Sequence, residues 1–335
     1  MLVVPGEARG ARLDRFVTSA LASLPDSPSR AELQRWIEHG RVTVDGVTKK
    51  AADKLREGAQ VVVEPEPPPL TEAIAEEGID FDVLHVDDSL VVLNKPPGLV
   101  VHPAHGHASG TLVNGLLARG MFDVSDAEED DADIPPVSFR SEAVASGAES
   151  KLRPGIVHRL DKGTSGVMVV ARTRLAREHL KTQFADHSID REYEAICVGD
   201  VKAQTFDTLH GRHKTDRLKF TTKVLQGKRA VTKVTPLESL AHKTATHVVC
   251  RLETGRTHQI RVHLSEAGTP ILGDPLYGSV PKNPALRSVA NALSHQALHA
   301  RLLGFIHPVT GKPMRFTAEP PADFKVALEQ LRAIP

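Results

Sequence analysis

The sequence predicts an α+β protein in two parts: a small α/β unit at the amino terminus and a larger body built on a largely antiparallel or mixed sheet. Three observations carry this. Pro65-Glu66-Pro67-Pro68-Pro69 divides the chain, because a proline run continues neither helix nor sheet and acts as a semi-stiff spacer. Beyond it, short apolar strand-like runs outnumber helical stretches and do not alternate with them, as a doubly wound parallel sheet would demand. The size of 335 residues, with 40% hydrophobic and 25% charged side chains, exceeds one small module and is ordinary for a globular chain.

The elements follow in order. Residues 1–64 form the first domain. Leu13, Phe16, Val17, Ala20, Leu21 and Leu24 recur at helical spacing. Ser29 and Glu32 make a capping box for a second helix that buries Leu33, Trp36 and Ile37 and stops at Gly40. Arg41–Val44 alternates, Asp45-Gly46 is a hairpin turn, and residues 59–63 form another strand. Residues 65–79 are linker and 80–330 the second domain. That domain opens with a hairpin, Phe81–Val86 and Leu90–Leu93, followed by a helix over 111–119. Residues 121–150 are acidic, rich in Ser and Ala and without apolar pattern, and read as a disordered insertion. Strands follow at 167–171, 191–198, 229–238, 245–252 and 298–306, with helices at 174–186 and from about 257.

Charge narrows the function. The whole chain balances 42 basic against 42 acidic residues, but the 121–150 stretch holds nine acids and one base. The remainder carries 41 basic and 33 acidic residues, a balance of +8 that suits a polyanionic partner. Two cysteines support neither a disulfide scaffold nor a four-thiolate metal site. No apolar run reaches the roughly 20 residues of a membrane helix and no signal peptide is evident, so the cytoplasm is the expected location. No dinucleotide fingerprint, phosphate-binding loop or nucleophile elbow occurs; of the seventeen histidines, His295 and His299 have a helical i,i+4 spacing, but no His-Glu-x-x-His carboxylate or Cys partner accompanies them. Neither a metal nor another cofactor is expected.

Two clusters concentrate chemistry. His158-Arg159-Leu160-Asp161-Lys162-Gly163-Thr164-Ser165-Gly166 lies between apolar Ile156-Val157 and Val167–Ala171, a polar loop between core strands. An aspartate among cations suits a nucleophile; for an arbitrary aspartate, capping a turn and pairing with Arg159 is the commoner role. The second cluster, Thr254–Leu264, places Arg256, Gln259 and His263 near one helix face, with Thr257 or Gly255 as helix start. Its arginines suit a carboxylate or phosphate; ordinary basic residues on a surface helix are the alternative.

These clusters resemble the RluA-type pseudouridine synthases. His158–Asp161 with Thr164-Ser165-Gly166 resembles their catalytic motif, and Asn94–Pro103 their first motif. Arg191-Glu192-Tyr193-Glu194-Ala195 resembles the strand with the active-site tyrosine. Gly255–His263 with Gly268–Gly278 resembles the third motif, and Gln296–Ala300 with His307–Gly311 the closing pattern. The resemblance covers about 85–324. The first 64 residues resemble an S4-type RNA-binding domain, a pairing found in the RluC/RluD branch, which modifies large-subunit ribosomal RNA. One departure is Gly163, where an acidic residue is common.

The resemblance implies the pseudouridine synthase fold, no cofactor, and isomerisation of uridine to pseudouridine. It assigns Asp161 as nucleophile, by attack on the sugar or by a glycal route, Arg261 as its partner, and Tyr193 as a stacking surface or an aid in removing the C5 proton. Arg159 would fill the gap left by the flipped base. His158, Arg256, Arg30, Arg35, Arg41, Lys49 and Lys50 complete the expected RNA contacts, His158 more through loop geometry. The expected partner is RNA and the expected state a monomer. The competing readings are a transfer-RNA enzyme of the same chemistry, a non-catalytic ribosome-assembly factor, and a glycosidase. The last lacks a second carboxylate in the motifs.

Overall fold

The computed structural model describes residues 2–21, 30–64, 71–73, 75–102, 109–121, 137–139, 151–152, 155–216 and 218–334. The chain divides at its proline-rich segment into two compact units, Met1–Pro69 and Leu70–Pro335.

The first unit contains β1 (Leu2–Val3), α1 (Leu13–Leu21), α2 (Arg30–Glu38), β2 (Val42–Val44), β3 (Val47–Thr48) and β4 (Gln60–Val63). Its antiparallel sheet runs β1-β4-β2-β3. Asp45 and Gly46 both have positive φ, 51° and 75°, the conformation an Asp-Gly hairpin turn needs. Leu13 and Val17 meet Leu33, Trp36 and Ile37 over Val42, Val44 and Val61, so both helical stripes close on one sheet face. The edge strand β1, two residues long, is too short to register as a pattern. Leu24 and Ser29, and with Ser29 the capping box, lie outside the described residues.

The second unit contains β5 (Thr71–Ala73), β6 (Asp82–Val86), β7 (Leu90–Lys95), α3 (Leu112–Ala118), β8 (Val137–Phe139), β9 (Lys151–Leu152), β10 (Ser165–Ala171), α4 (Arg174–Ala185), β11 (Asp190–Val198), β12 (Gln204–Arg212), β13 (Phe220–Thr221), β14 (Lys228–Leu240), β15 (Ala245–Leu252), α5 (Gln259–Glu266), α6 (Pro284–Ala292), β16 (Leu298–Ile306), β17 (Pro313–Thr317) and α7 (Ala322–Ala333). The main sheet runs β13-β12-β14-β15-β11-β16-β10-β7-β6, with β17 also on β16. Among its described pairings only β10 with β16 is parallel; the sheet is mixed and largely antiparallel. In the stretch read as a disordered insertion, Val137-Ser138-Phe139 is a strand that pairs with β5 and β9. Its apolar ends alternate about a serine; most of the stretch lies outside the described residues.

Every residue of β10 is buried. Met168 and Val170 join α3 on one face, while Val167, Val169 and Ala171 join α4 on the other. A third cluster gathers β11, β15, α5, α6 and α7, and Tyr193 packs against both this cluster and the one beneath α3. The seam between these two cores holds the site.

Candidate active site

The loop 158–164 leads into β10 and is clamped from two sides. On one side, buried Lys95 at the end of β7 donates from Nζ to the carbonyls of Pro96 (2.8 Å), Leu99 (2.9 Å) and Lys162 (3.2 Å). The Gly98 amide also donates to Lys162 O at 2.8 Å. Burial lowers the Lys95 ammonium to about 7, against the pull of the Asp161 charge. On the other side, Gln296 Nε2 donates to Thr164 Oγ1 at 2.9 Å, and Ser165 Oγ meets His299 Nδ1 at 2.9 Å. Gly166, at φ +120°, lets β10 approach β16 so closely that a Cβ would run into the Ala300 carbonyl. A Cβ at Gly163 would stand 2.5 Å from Gln296 Oε1 and 2.8 Å from His295 Cβ, so a larger residue there requires a different Gln296.

Within the clamps the Thr164 amide donates to Asp161 O at 3.0 Å, a tight turn that presents the Asp161 side chain. That side chain pairs with Arg261 and not with Arg159: Arg261 Nη1 donates to Asp161 Oδ2 at 2.9 Å. The same guanidinium forks onto Asp274, Nε to Oδ2 at 2.7 Å and Nη2 to Oδ1 at 2.8 Å. Asp274 Oδ1 also accepts the amides of Leu276 (2.9 Å) and Tyr277 (3.0 Å). Burial alone would raise the Asp274 carboxyl; the Arg261 bonds and charge, with the two amides, outweigh it and hold it below the usual range. Burial likewise acts to lower Arg261, and its two carboxylates together raise it.

Arg159, Asp161, Tyr193, Arg256, His258 and Arg261 line one cleft of about 370 Å³, counting its open mouth. Tyr193 is partly exposed there, and burial raises its phenol above the ordinary value against the nearby Arg191 charge. Asp161, Tyr193, Arg261, Arg159 and Arg256 therefore meet, although they come from three separate stretches of chain, 159–161, β11 and 256–261. Arg256 precedes α5 instead of lying on it. The helix is capped by His258 in the left-handed conformation (φ 59°, ψ 18°), not by Thr257 or Gly255, and Gln259 Oε1 secures the start by accepting the Arg256 amide at 2.9 Å.

The His158 side chain serves the packing of the loop. Its ring stacks on Phe184 at 4.6 Å, and Nε2 accepts the Val169 amide at 3.1 Å. Burial lowers it to about 3, with Arg191 adding to the effect. It is a neutral packing residue of the loop and does not line the cleft. In the first unit Arg41 is half-buried and Lys49 and Lys50 are exposed, while the side chains of Arg30 and Arg35 lie outside the described residues. Lys95, Asp274, His258, Gln296 and His299 received no role from the sequence. Each stands inside a quoted motif, and that position was the available signal. Among the described residues no cluster of His, Cys, Asp or Glu is arranged to hold a metal ion.

Comparison with known proteins identifies the class. Residues 89–266 match the RNA pseudouridylate synthase family and residues 12–61 the S4 domain. The chain belongs to the RNA pseudouridylate synthase family, isomerases that convert uridine in RNA to pseudouridine. It is 41% identical over 336 residues to "Ribosomal large subunit pseudouridine synthase D" of Xanthomonas campestris, covering 98% of this chain and 92% of that one. It is 40% identical over 328 residues to the RNA pseudouridine synthase YlyB of Bacillus subtilis, covering 97% and 96%. Among solved structures, human RNA Pseudouridylate Synthase Domain Containing 4 superposes with a TM-score of 0.52 at 25% identity, over 75% of this chain and 93% of that one. No described helix is long and apolar enough to cross a membrane.

Proposed function

We propose that this enzyme isomerises specific uridines of large-subunit ribosomal RNA, with Asp161 as its catalytic carboxylate. The observation that carries this is the state of that side chain. One oxygen is held by Arg261, while the other has no hydrogen-bond partner among the described residues and borders a cleft lined by Tyr193 and two further arginines.

The reaction breaks the N1–C1′ bond, turns the uracil, forms C5–C1′, removes the C5 proton and returns a proton to N1. Asp161 acts on the sugar, by attack at C1′ or by proton removal on the glycal route; both need an anionic carboxylate beside the ribose. Arg261 aims it. A phenol whose pKa is raised stays neutral near pH 7, so Tyr193 suits stacking on the base better than direct proton abstraction. Arg159, exposed at the mouth, suits the gap left by the flipped nucleotide. The ribosomal substrate is supported by the full-length similarity to proteins named for it and by the S4 match, where Arg41, Lys49 and Lys50 supply positive charge for phosphates. We place the enzyme in the cytoplasm, with its substrate, and read it as a monomer.

The test has two parts. Mapping pseudouridine in ribosomal RNA from cells with and without the gene is expected to reveal sites that vanish; modification lost only from transfer RNA would overturn the substrate. With such RNA carrying 5-tritiated uridine, Asp161→Asn is expected to release no tritium while still binding RNA, and surviving release would remove Asp161 from its role.

A further inference from the structure

His258 lies in the same cleft, and its surroundings are more specific than a helix cap requires. The Phe220 ring meets it edge-on at 5.7 Å and 85°, and the Tyr277 ring at 5.5 Å and 75°. Its Nδ1 is 2.9 Å from Tyr277 Oη. That hydroxyl already accepts the Phe220 amide at 2.8 Å. Its single hydrogen therefore has His258 Nδ1 as its acceptor among the described residues, and a partly buried hydroxyl uses its hydrogen. Burial raises the Tyr277 phenol to about 12, which keeps that hydrogen in place. A neutral imidazole that accepts at Nδ1 carries its own hydrogen on Nε2. His258 is held neutral by burial, which lowers it against the pull of Asp161. Nε2 lies 3.8 Å from Asp161 Oδ1, the oxygen that Arg261 leaves untouched.

We propose that His258 is a positioning residue: Tyr277 fixes its tautomer, and its Nε2–H steadies the free oxygen of Asp161. The two fixed donors, Arg261 on Oδ2 and His258 towards Oδ1, leave the carboxylate one orientation in the cleft. At 3.8 Å the second contact is just beyond hydrogen-bonding distance, and a small rotation of the carboxylate closes it. Catalytic hydrogen bonds commonly tighten in this way when substrate binds. This inference rests on the reading of Asp161 as the catalytic carboxylate.

Two substitutions separate positioning from structure. Glutamine places an amide N–H where Nε2 stands; asparagine reaches only as far as Nδ1. The His258 backbone is left-handed (φ 59°), a conformation asparagine tolerates better than glutamine. A purely structural role therefore favours His258→Asn, and a positioning role favours His258→Gln. We expect His258→Gln to keep the single-turnover rate within about threefold, and His258→Asn to lose about 10- to 100-fold with RNA affinity unchanged. Tyr277→Phe should slow the wild-type background by about three- to tenfold and change the His258→Gln background by less than about twofold, because an amide has no tautomer to fix. Nitrogen-15 NMR of the intact protein at neutral pH should find His258 unprotonated at Nδ1 and protonated at Nε2. The opposite tautomer, or His258→Asn as active as His258→Gln, overturns the proposal. Asp161→Asn run alongside keeps the two readings apart: an inactive Asp161→Asn with indifferent His258 variants overturns only the role of His258, whereas an active one overturns the role of Asp161 itself.

Discussion

Asp161 and Asp274 share one guanidinium and differ in everything else. The Asp274 side chain is 0% exposed and takes the two-pronged face of Arg261 with two backbone amides; that of Asp161 is 18% exposed and takes one N–H. The saturated carboxylate fixes the arginine, and the unsaturated one borders the cleft with an oxygen that has no hydrogen-bond partner among the described residues. Arg261 is thereby held by a fully buried partner, which lets a long flexible side chain keep Asp161 in one position.

The contrast breaks cleanly if the two acids are exchanged for amides in turn. Asp161→Asn should eliminate isomerisation and shift stability by no more than about 1 kcal/mol, since Arg261 keeps Asp274. Asp274→Asn should cost about 3–5 kcal/mol in denaturant unfolding, because a buried guanidinium loses its bidentate partner, and should lower the single-turnover rate as Arg261 loosens. Equal stability loss from both variants would mean that the two carboxylates are not divided in this way. Lys95→Met addresses the loop that carries Asp161. It leaves the three carbonyls that Lys95 caps, including Lys162 O, without that donor. A loss of about 1–3 kcal/mol is expected, with slower catalysis at unchanged RNA affinity, measured by unfolding and single-turnover assays.

The smallest effect sharpens the other end of the loop. An unfolded histidine takes up a proton near pH 6.5, whereas folded His158 is held down to about 3. Folding stability therefore falls as the pH drops through that interval, since the unfolded chain binds the extra proton. His158→Gln, which keeps an acceptor for the Val169 amide, should flatten this limb by about 1–2 kcal/mol between neutral pH and about pH 5. Melting curves across that range check it; an unchanged slope would mean that His158 titrates in the folded protein.

Legibility tracked the range of the causes. The continuous apolar run of β10, the stripe of Leu13 and Val17 and the Asp45-Gly46 turn are local patterns, and each was readable from neighbours in sequence. The short partners escaped: β1 and β13 span two residues each and exist through the strands they pair with. At the site, Asp161, Tyr193 and Arg261 were named through family resemblance, since nothing in their spacing brings them together. His158 stands beside an arginine in a polar loop, and its neighbours in sequence do not reveal what its ring packs on. Only the fold shows Phe184 and the Val169 amide taking its ring.

The sequence by itself determined the local conformations and the segregation of charge, because these follow from residue type and short-range sterics. Tertiary structure alone decided which carboxylate is free and which is an anchor, and which histidine packs and which faces the cleft. The physical reason is that a hydrogen bond such as Arg261 to Asp161, spanning 100 residues of chain, exists only once the parallel β10–β16 crossing and the helix after β15 have fixed both ends in space.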